Sequence, residues 1–383
     1  MPRSLFTALI ALVIVASSQA QVRVTPKAAK GGITYGEPWA NVPAAFRESI
    51  RFPTWPVPTD LAAWQSRERA RTRATLLSLL GEMPPRPQPL PATVKGREER
   101  GDYAVERIEF FNGVDMQVPG IVLVPKNARR APAIIVMHTW SGTKEDLLLN
   151  AHNFEHVGTQ LVRQGYVVAA IDGYFHGERL GKGPNDTTDP KVTPSQIKQR
   201  QQQSLYGLNV WLGRTLWGMM VRDQQCLLDY LQSRSDVDPE KIGATGMSLG
   251  NTTGWWLAAI DERVKAVVGV ACFTRIEQLV QHGQVQAHGL YYFVPNMLKH
   301  FDTEAVFAVV APRPMLQLNG DGDSTCPPDG IEVLEQKIGA VYRLHGQPDN
   351  FRSVIYLRTG HEYLPEMKAE MVQWFLRHLP PKR

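Results

Sequence analysis

Gly246-Met247-Ser248-Leu249-Gly250 places one serine between two glycines at a fixed spacing. Residues 242–245 are short and apolar, as a buried strand requires. Leu249 onward, through Trp255, Trp256 and Ile260, reads as a helix with a bulky apolar face. A serine on a strand-turn-helix corner is held with its oxygen projecting from the sheet, which suits a nucleophile. The glycines are needed where side chains would strike the neighbouring backbone. A serine hydroxyl attacks only when a base takes its proton. His361, in Gly360-His361-Glu362 after the last apolar strand pattern, is the expected base; His345 and His378 are placed less well. The base needs a carboxylate to fix its tautomer. Asn319-Gly320-Asp321-Gly322-Asp323 offers two, with Asp323 preferred and Asp321 expected to bond local backbone amides. An oxyanion would be bound by backbone N–H groups. Leu249, directly after the serine, should supply one. Trp140 of His138-Thr139-Trp140-Ser141-Gly142 should supply the other, with Thr139 as the alternative. His138 is expected to bond within its own loop.

These residues need a scaffold that brings distant loops to one edge. Residues 133–137 are a continuous apolar run, as a parallel strand buried on both faces should be, and buried strands are also expected at 167–171 and 264–271. Residues 103–111 and 118–124 read as two strands joined through Asn112-Gly113. Further strands are expected at 314–318 and 353–357. Helices are expected at 154–164, 209–231 and 365–379, with a polar, Gln-rich bridge at 195–204. Strand and helix alternate, so the fold class is α/β: a mostly parallel, doubly wound sheet with helices on both faces. Such sheets carry their sites at the C-terminal ends of strands.

Before the sheet, residues 21–95 form a Pro-rich arm containing one helix over 61–80, ended by Pro84-Pro85-Arg86-Pro87. Residues 1–20 read as a secretory signal peptide: a basic start, an apolar run of about twelve residues too short to span a bilayer, then Ser18-Gln19-Ala20. Export to the periplasm or beyond is the expectation, with no stable membrane insertion. The catalytic domain would occupy 96–383. The formal net charge is +5 over 383 residues, and no basic run is interleaved with aromatics, which argues against nucleic acid as a partner. Cys226, Cys272 and Cys326 are the three cysteines. A Cys272–Cys326 bridge and three free thiols both fit the sequence. No Cys or His cluster suggests a metal, and the chemistry needs no metal or organic cofactor.

The quoted motifs, with Asp172-Gly173-Tyr174-Phe175-His176-Gly177-Glu178-Arg179 and Ala311-Pro312-Arg313-Pro314, resemble the α/β-hydrolase superfamily over about residues 100–380. The nearest resemblance is to its bacterial dienelactone hydrolase and acetyl xylan esterase-like branch. The order Ser248, Asp323, His361 is the one that fold uses. The resemblance implies a serine esterase acting through an acyl-enzyme, on a small-molecule or carbohydrate ester. Two positions depart from it: serine stands where dienelactone hydrolases carry cysteine, and Thr139 where many relatives carry glycine. His176, Glu178 and Arg179 are expected to form a polar network shaping the rim, where His176 and Arg179 could meet substrate. Residues 273–302 read as an insertion forming a lid or wall, with Tyr291 and Tyr292 facing substrate or packing on the body. The same Ser, Asp and His would also serve a peptidase or acyltransferase. A non-catalytic binding protein is disfavoured because none of the three is missing. Oligomeric state is not legible.

Overall fold

A computed structural model describes residues 21–26, 39, 42–148, 157–183, 189–285 and 288–382. The expected leader at 1–20 lies outside the described residues. Ten strands form one sheet. They are β1 (Gln21–Val24), β2 (Ala92–Arg100), β3 (Tyr103–Phe111), β4 (Gln117–Pro125), β5 (Ala131–Met137), β6 (Val167–Ile171), β7 (Val237–Met247), β8 (Val264–Val270), β9 (Met315–Gly320) and β10 (Phe351–Tyr356). Their order is β1-β10-β9-β8-β7-β5-β6-β4-β3-β2. Pairing is parallel from β1 to β6 and antiparallel from β6 to β2.

Both faces of the parallel part are covered. Ala133, Ile135 and Met137 of β5 point into one apolar cluster, with Trp217, Trp255 and Trp256 from the helices Leu216–Ser233 and Leu249–Ile260. Ile134 and Val136 point the other way, against Leu161 of the helix Val157–Arg163 and Phe375 of the helix Pro365–His378. This alternation is the two-residue period of a strand. It explains why the central strands read as unbroken apolar runs.

Several elements differ from expectation. Residues 195–204 are not a bridge but lie in the helix Pro194–Trp211. Thr193 starts it with a capping box: its side chain accepts from Gln196 N–H, and Gln196 returns a bond. The polar sequence is that of a helix with a long exposed face. The helix expected from 209 is two helices. The first ends at Trp211, Gly213 turns with φ +69°, and Thr215 caps the second by accepting from Gly218 N–H. β2 went unread because nearly all of its residues are exposed, so it carries no apolar signal. β1 went unread because it is a short edge strand. Within the described residues, the helix expected at 154–164 begins at Val157.

The arm belongs to the same core. Its helix runs from Leu61 to Leu80, with a π-helical stretch at Trp64–Glu68. Trp64, Leu76 and Leu80 are buried in the cluster that holds Trp255. Each such side chain contributes about 1.5–3 kcal/mol of burial. Arg69 donates to the Val309 carbonyl at 3.0 and 2.9 Å, and Arg73 to that of Ile260 at 2.5 Å. β2 runs across position 95, so no break in structure falls there.

Candidate active site

The site lies along one edge, where β5, β7, β8, β9 and β10 end side by side. Ser248 follows β7 and precedes the helix Leu249–Ile260, with φ +58° and ψ −118°. A non-glycine residue in this region is strained, and tight surroundings must hold it there. They do so here. A Cβ on Gly246 would lie 2.5 Å from the Gly250 carbonyl carbon, and one on Gly250 would lie 2.1 Å from the Met137 carbonyl oxygen. Ser248 N–H donates to the Val270 carbonyl at 2.9 Å. Asn251 Nδ2 ties the following helix to Gln317 Oε1 at 2.9 Å and to the Ala271 carbonyl. The glycines therefore press the serine turn onto the end of β5, where residues 138–142 begin.

Asp323 lies beyond β9 and is fully buried. Its Oδ2 is 2.7 Å from His361 Nδ1. Its Oδ1 accepts from Thr325 N–H at 2.8 Å and from Thr325 Oγ1 at 2.7 Å. Burial disfavours the carboxylate, but the bonds from His361 and Thr325 outweigh it and hold its pKa below the usual value. For His361, burial opposes the charge and Asp323 overcomes it, so its pKa lies above the usual histidine value. Asp321 instead accepts from the Thr359 N–H at 3.2 Å, a backbone amide 38 residues further along the chain. His345 ends the helix Pro328–Leu344, and His378 lies in the helix Pro365–His378.

A short chain of contacts joins the serine to this pair. Cys272 Sγ lies 3.9 Å from Ser248 Oγ and 3.4 Å from Thr325 Oγ1. Thr325 Oγ1 lies 3.3 Å from His361 Nδ1. Cys272 and Thr325 were not singled out as site residues from sequence. Thr325 carried a signal, a hydroxyl two residues after an acid. Cys272 carried none, because its place depends on β8 ending between β7 and β9. All three cysteines are free and buried, so no bridge joins Cys272 to Cys326. Burial pushes the Cys272 thiol up to about 12, which keeps it protonated and a poor nucleophile.

The 138–142 loop is braced from two sides. His138 Nε2 accepts from Gly173 N–H at 2.9 Å, so its proton is on Nδ1, which donates to the Thr139 carbonyl at 2.8 Å. Gly142 N–H donates to the same carbonyl at 3.1 Å. That carbonyl shares its peptide with the Trp140 N–H. Two donors on it polarise the group and strengthen that N–H. The Trp140 carbonyl contacts His176 Nε2 at 2.9 Å and Lys198 Nζ. The Trp140 ring stacks on Tyr291, with centroids 5.4 Å apart and planes 19° apart.

Four expected rim residues lie deeper than the sequence suggested. Arg179 is 1% exposed, bonded to Asp223 at 2.8 Å and set over the Tyr174 ring at 4.1 Å. It is an interior ion pair and does not reach the rim. His176 is buried between the Tyr174 and Trp140 carbonyls, and burial beside His138 and Lys198 pushes its pKa well down. Tyr291 and Tyr292 are buried against Trp217. The described part of the insertion is thus a wall anchored in the core. A different polar cluster forms around Asp172, whose carboxylate binds Lys144 Nζ at 2.8 Å and Glu178 N–H at 3.0 Å, while the His176 and Arg179 side chains bond elsewhere.

An open, largely parallel sheet with a strained serine after β7 and an Asp–His pair after β9 and β10 is an α/β-hydrolase arrangement. The pattern of the Dienelactone hydrolase family matches residues 118–295, and that of the Prolyl oligopeptidase family matches 212–381. The putative hydrolase YtaP of Bacillus subtilis (strain 168) is 31% identical over 318 residues, covering 81% of this chain and 100% of the relative. The fold is also that of a putative acetyl xylan esterase from Bacteroides fragilis NCTC 9343, with a TM-score of 0.65, 19% identity and 88% of each chain covered. A glucuronoyl esterase from Solibacter usitatus superposes with a TM-score of 0.58 at 16% identity, over 85% of this chain and 98% of that one. The chain belongs to the α/β-hydrolase superfamily, in its dienelactone-hydrolase-like branch, and is an enzyme of the hydrolase class.

Proposed function

We propose that the chain is an exported serine hydrolase of carboxylic esters, with Ser248 as nucleophile, His361 as base and Asp323 as its orienting carboxylate. Asp323 on Nδ1 leaves Nε2 of His361 to take the Ser248 proton. The serine oxygen attacks the ester carbonyl, and the oxyanion is met by the N–H groups of Leu249 and Trp140. His361 passes the proton to the departing alcohol, and water then cleaves the acyl-enzyme by the same steps in reverse. The observation that carries this reading is the Ser248–Cys272–Thr325–Asp323/His361 contact chain around a serine held at φ +58°. An acylated carbohydrate is the favoured substrate. The esterase names of the structural neighbours support that choice, as does the signal-like sequence at 1–20.

Peptide hydrolysis is a second reading, favoured by the Prolyl oligopeptidase match over 212–381. A panel of acyl esters and matched peptide anilides separates the two. Ester cleavage abolished by Ser248→Ala supports the first. Anilide cleavage without ester cleavage would replace it with the second.

A further inference from the structure

A cleft of about 560 Å³ opens between the helix Pro194–Trp211 and the wall segment around Leu290. Trp140 lines it on one side and His288 on another. Both connect it to the reaction site. Trp140 belongs to the proposed oxyanion loop. The His288 ring lies close enough to the Thr325 backbone to feel it electrostatically, and the Thr325 side chain contacts Asp323 and His361. A molecule filling the cleft therefore touches Trp140 directly, while Ser248 and His361 are not among the described residues that line it.

No carboxylate is among the described residues lining the cleft, and one cation is. Lys198 Nζ donates to the Trp140 carbonyl and lies 4.1 Å from the centroid of the Trp140 ring. No ion pair among the described residues includes it. An ammonium has three donors, and one carbonyl occupies one of them. Burial draws the Lys198 pKa down to about 8, so the group still carries its proton at neutral pH. Gln202 lies one helical turn further along the same face. Its Oε1 accepts from Tyr291 N–H at 3.3 Å, which leaves the amide nitrogen as its remaining donor. His288 lines the wall, but its Nε2 is closed to solvent and presents no group to a ligand. Trp140 and Phe293 add aromatic faces. One cation, amide donors and flat apolar walls, without an acid among the described lining residues, suit a polyhydroxylated ring that carries a negative charge.

We infer that this cleft binds the alcohol portion of the substrate as a saccharide bearing a free carboxylate, with Lys198 on the carboxylate and Gln202 on a ring hydroxyl. The inference rests on the serine-esterase reading and adds the substrate class to it. The acyl group and the carboxylate are separate: the ester that breaks is on a hydroxyl, and the carboxylate stays on the leaving sugar.

The test uses full-length protein and two matched substrates, O-acetylated methyl glucuronide and O-acetylated methyl glucoside, with acetate release as the signal. The native enzyme is expected to favour the glucuronide in kcat/KM by about tenfold to a hundredfold, the range of one charge-assisted contact. Lys198→Met is expected to bring the ratio near one, and Lys198→Arg to keep part of it. Gln203→Glu, which places a carboxylate on the cleft wall, is expected to lower the ratio without touching Lys198. Equal turnover of both sugars by native enzyme would overturn the inference and leave the esterase reading standing. So would equal losses on both sugars in Lys198→Met, since Lys198 would then act only by holding Trp140. If no ester is cleaved, the esterase reading fails. Calorimetry with free glucuronate and glucose then decides the cleft: binding of glucuronate alone, lost in Lys198→Met, supports it, and binding of neither overturns it.

Discussion

Asp323→Asn isolates what the buried carboxylate does for His361. The substitution keeps volume and removes charge. The Oδ2–Nδ1 contact is 2.7 Å, the carboxylate is fully buried, and the His361 side chain is 36% exposed. Two unit charges a few ångströms apart at an effective dielectric near 20 interact by about 4 kcal/mol. Solvent around the exposed part of the imidazole trims this to about 3–4 kcal/mol. In the proposed mechanism the carboxylate stabilises the imidazolium that forms as Ser248 attacks, so this energy would appear in the barrier. At about 1.4 kcal/mol per decade, kcat should fall by about two to three orders of magnitude. Asparagine can also present its amide N–H to Nδ1 and fix the wrong tautomer, which pushes the loss higher. The assay is hydrolysis of 4-nitrophenyl acetate at pH 8, with circular dichroism confirming a native fold. Asp321→Asn is the control and should stay within about threefold, because Asp321 serves the Thr359 amide. A folded Asp323→Asn enzyme within tenfold of native, or an equal loss in Asp321→Asn, would refute the reasoning.

Three further outcomes follow from the same geometry. Native kcat/KM should fall as pH drops through a value above the ordinary histidine pKa of 6.5, because protonated His361 cannot accept the serine proton and Asp323 favours that protonated form. A pH–rate profile with its acid limb below 6.5 would contradict this. Gly250→Ala would set a Cβ 2.1 Å from the Met137 carbonyl oxygen, and both neighbours are backbone. Loss of soluble protein or a stability loss of more than about 3 kcal/mol in urea unfolding is expected, and unchanged stability would show that the turn can relax. Cys226, Cys272 and Cys326 are buried free thiols. Ellman's reagent should titrate none of them in native protein and all three after denaturation; fast native reaction with inhibition would show that Cys272 is exposed.

The fold was legible where burial and local chemistry agree. The apolar runs of β5 and β6 announce strands covered on both faces, and the glycines around Ser248 announce a tight turn. The sequence favours Asp323 over Asp321 without excluding either; in the structure Asp323 is the one 2.7 Å from His361 Nδ1. What stayed hidden depends on tertiary placement. β2 pairs along an exposed edge, so its sequence looks like surface. The capping box at Thr193 was present in the sequence, but the glutamines after it disguised a helix as a linker. Arg179 looked like a rim charge because its partner, Asp223, is 44 residues away. The contact of Cys272 with Ser248 arises from strand order, which no local pattern encodes.

The central claim is that Ser248, and no other side chain, carries the covalent chemistry. A fluorophosphonate probe applied to folded protein, followed by peptide mass spectrometry, tests it directly. One adduct per chain, on the peptide containing Ser248 and absent in Ser248→Ala, is the expected result. No adduct on folded native protein, or an adduct that persists on another residue in Ser248→Ala, would contradict it.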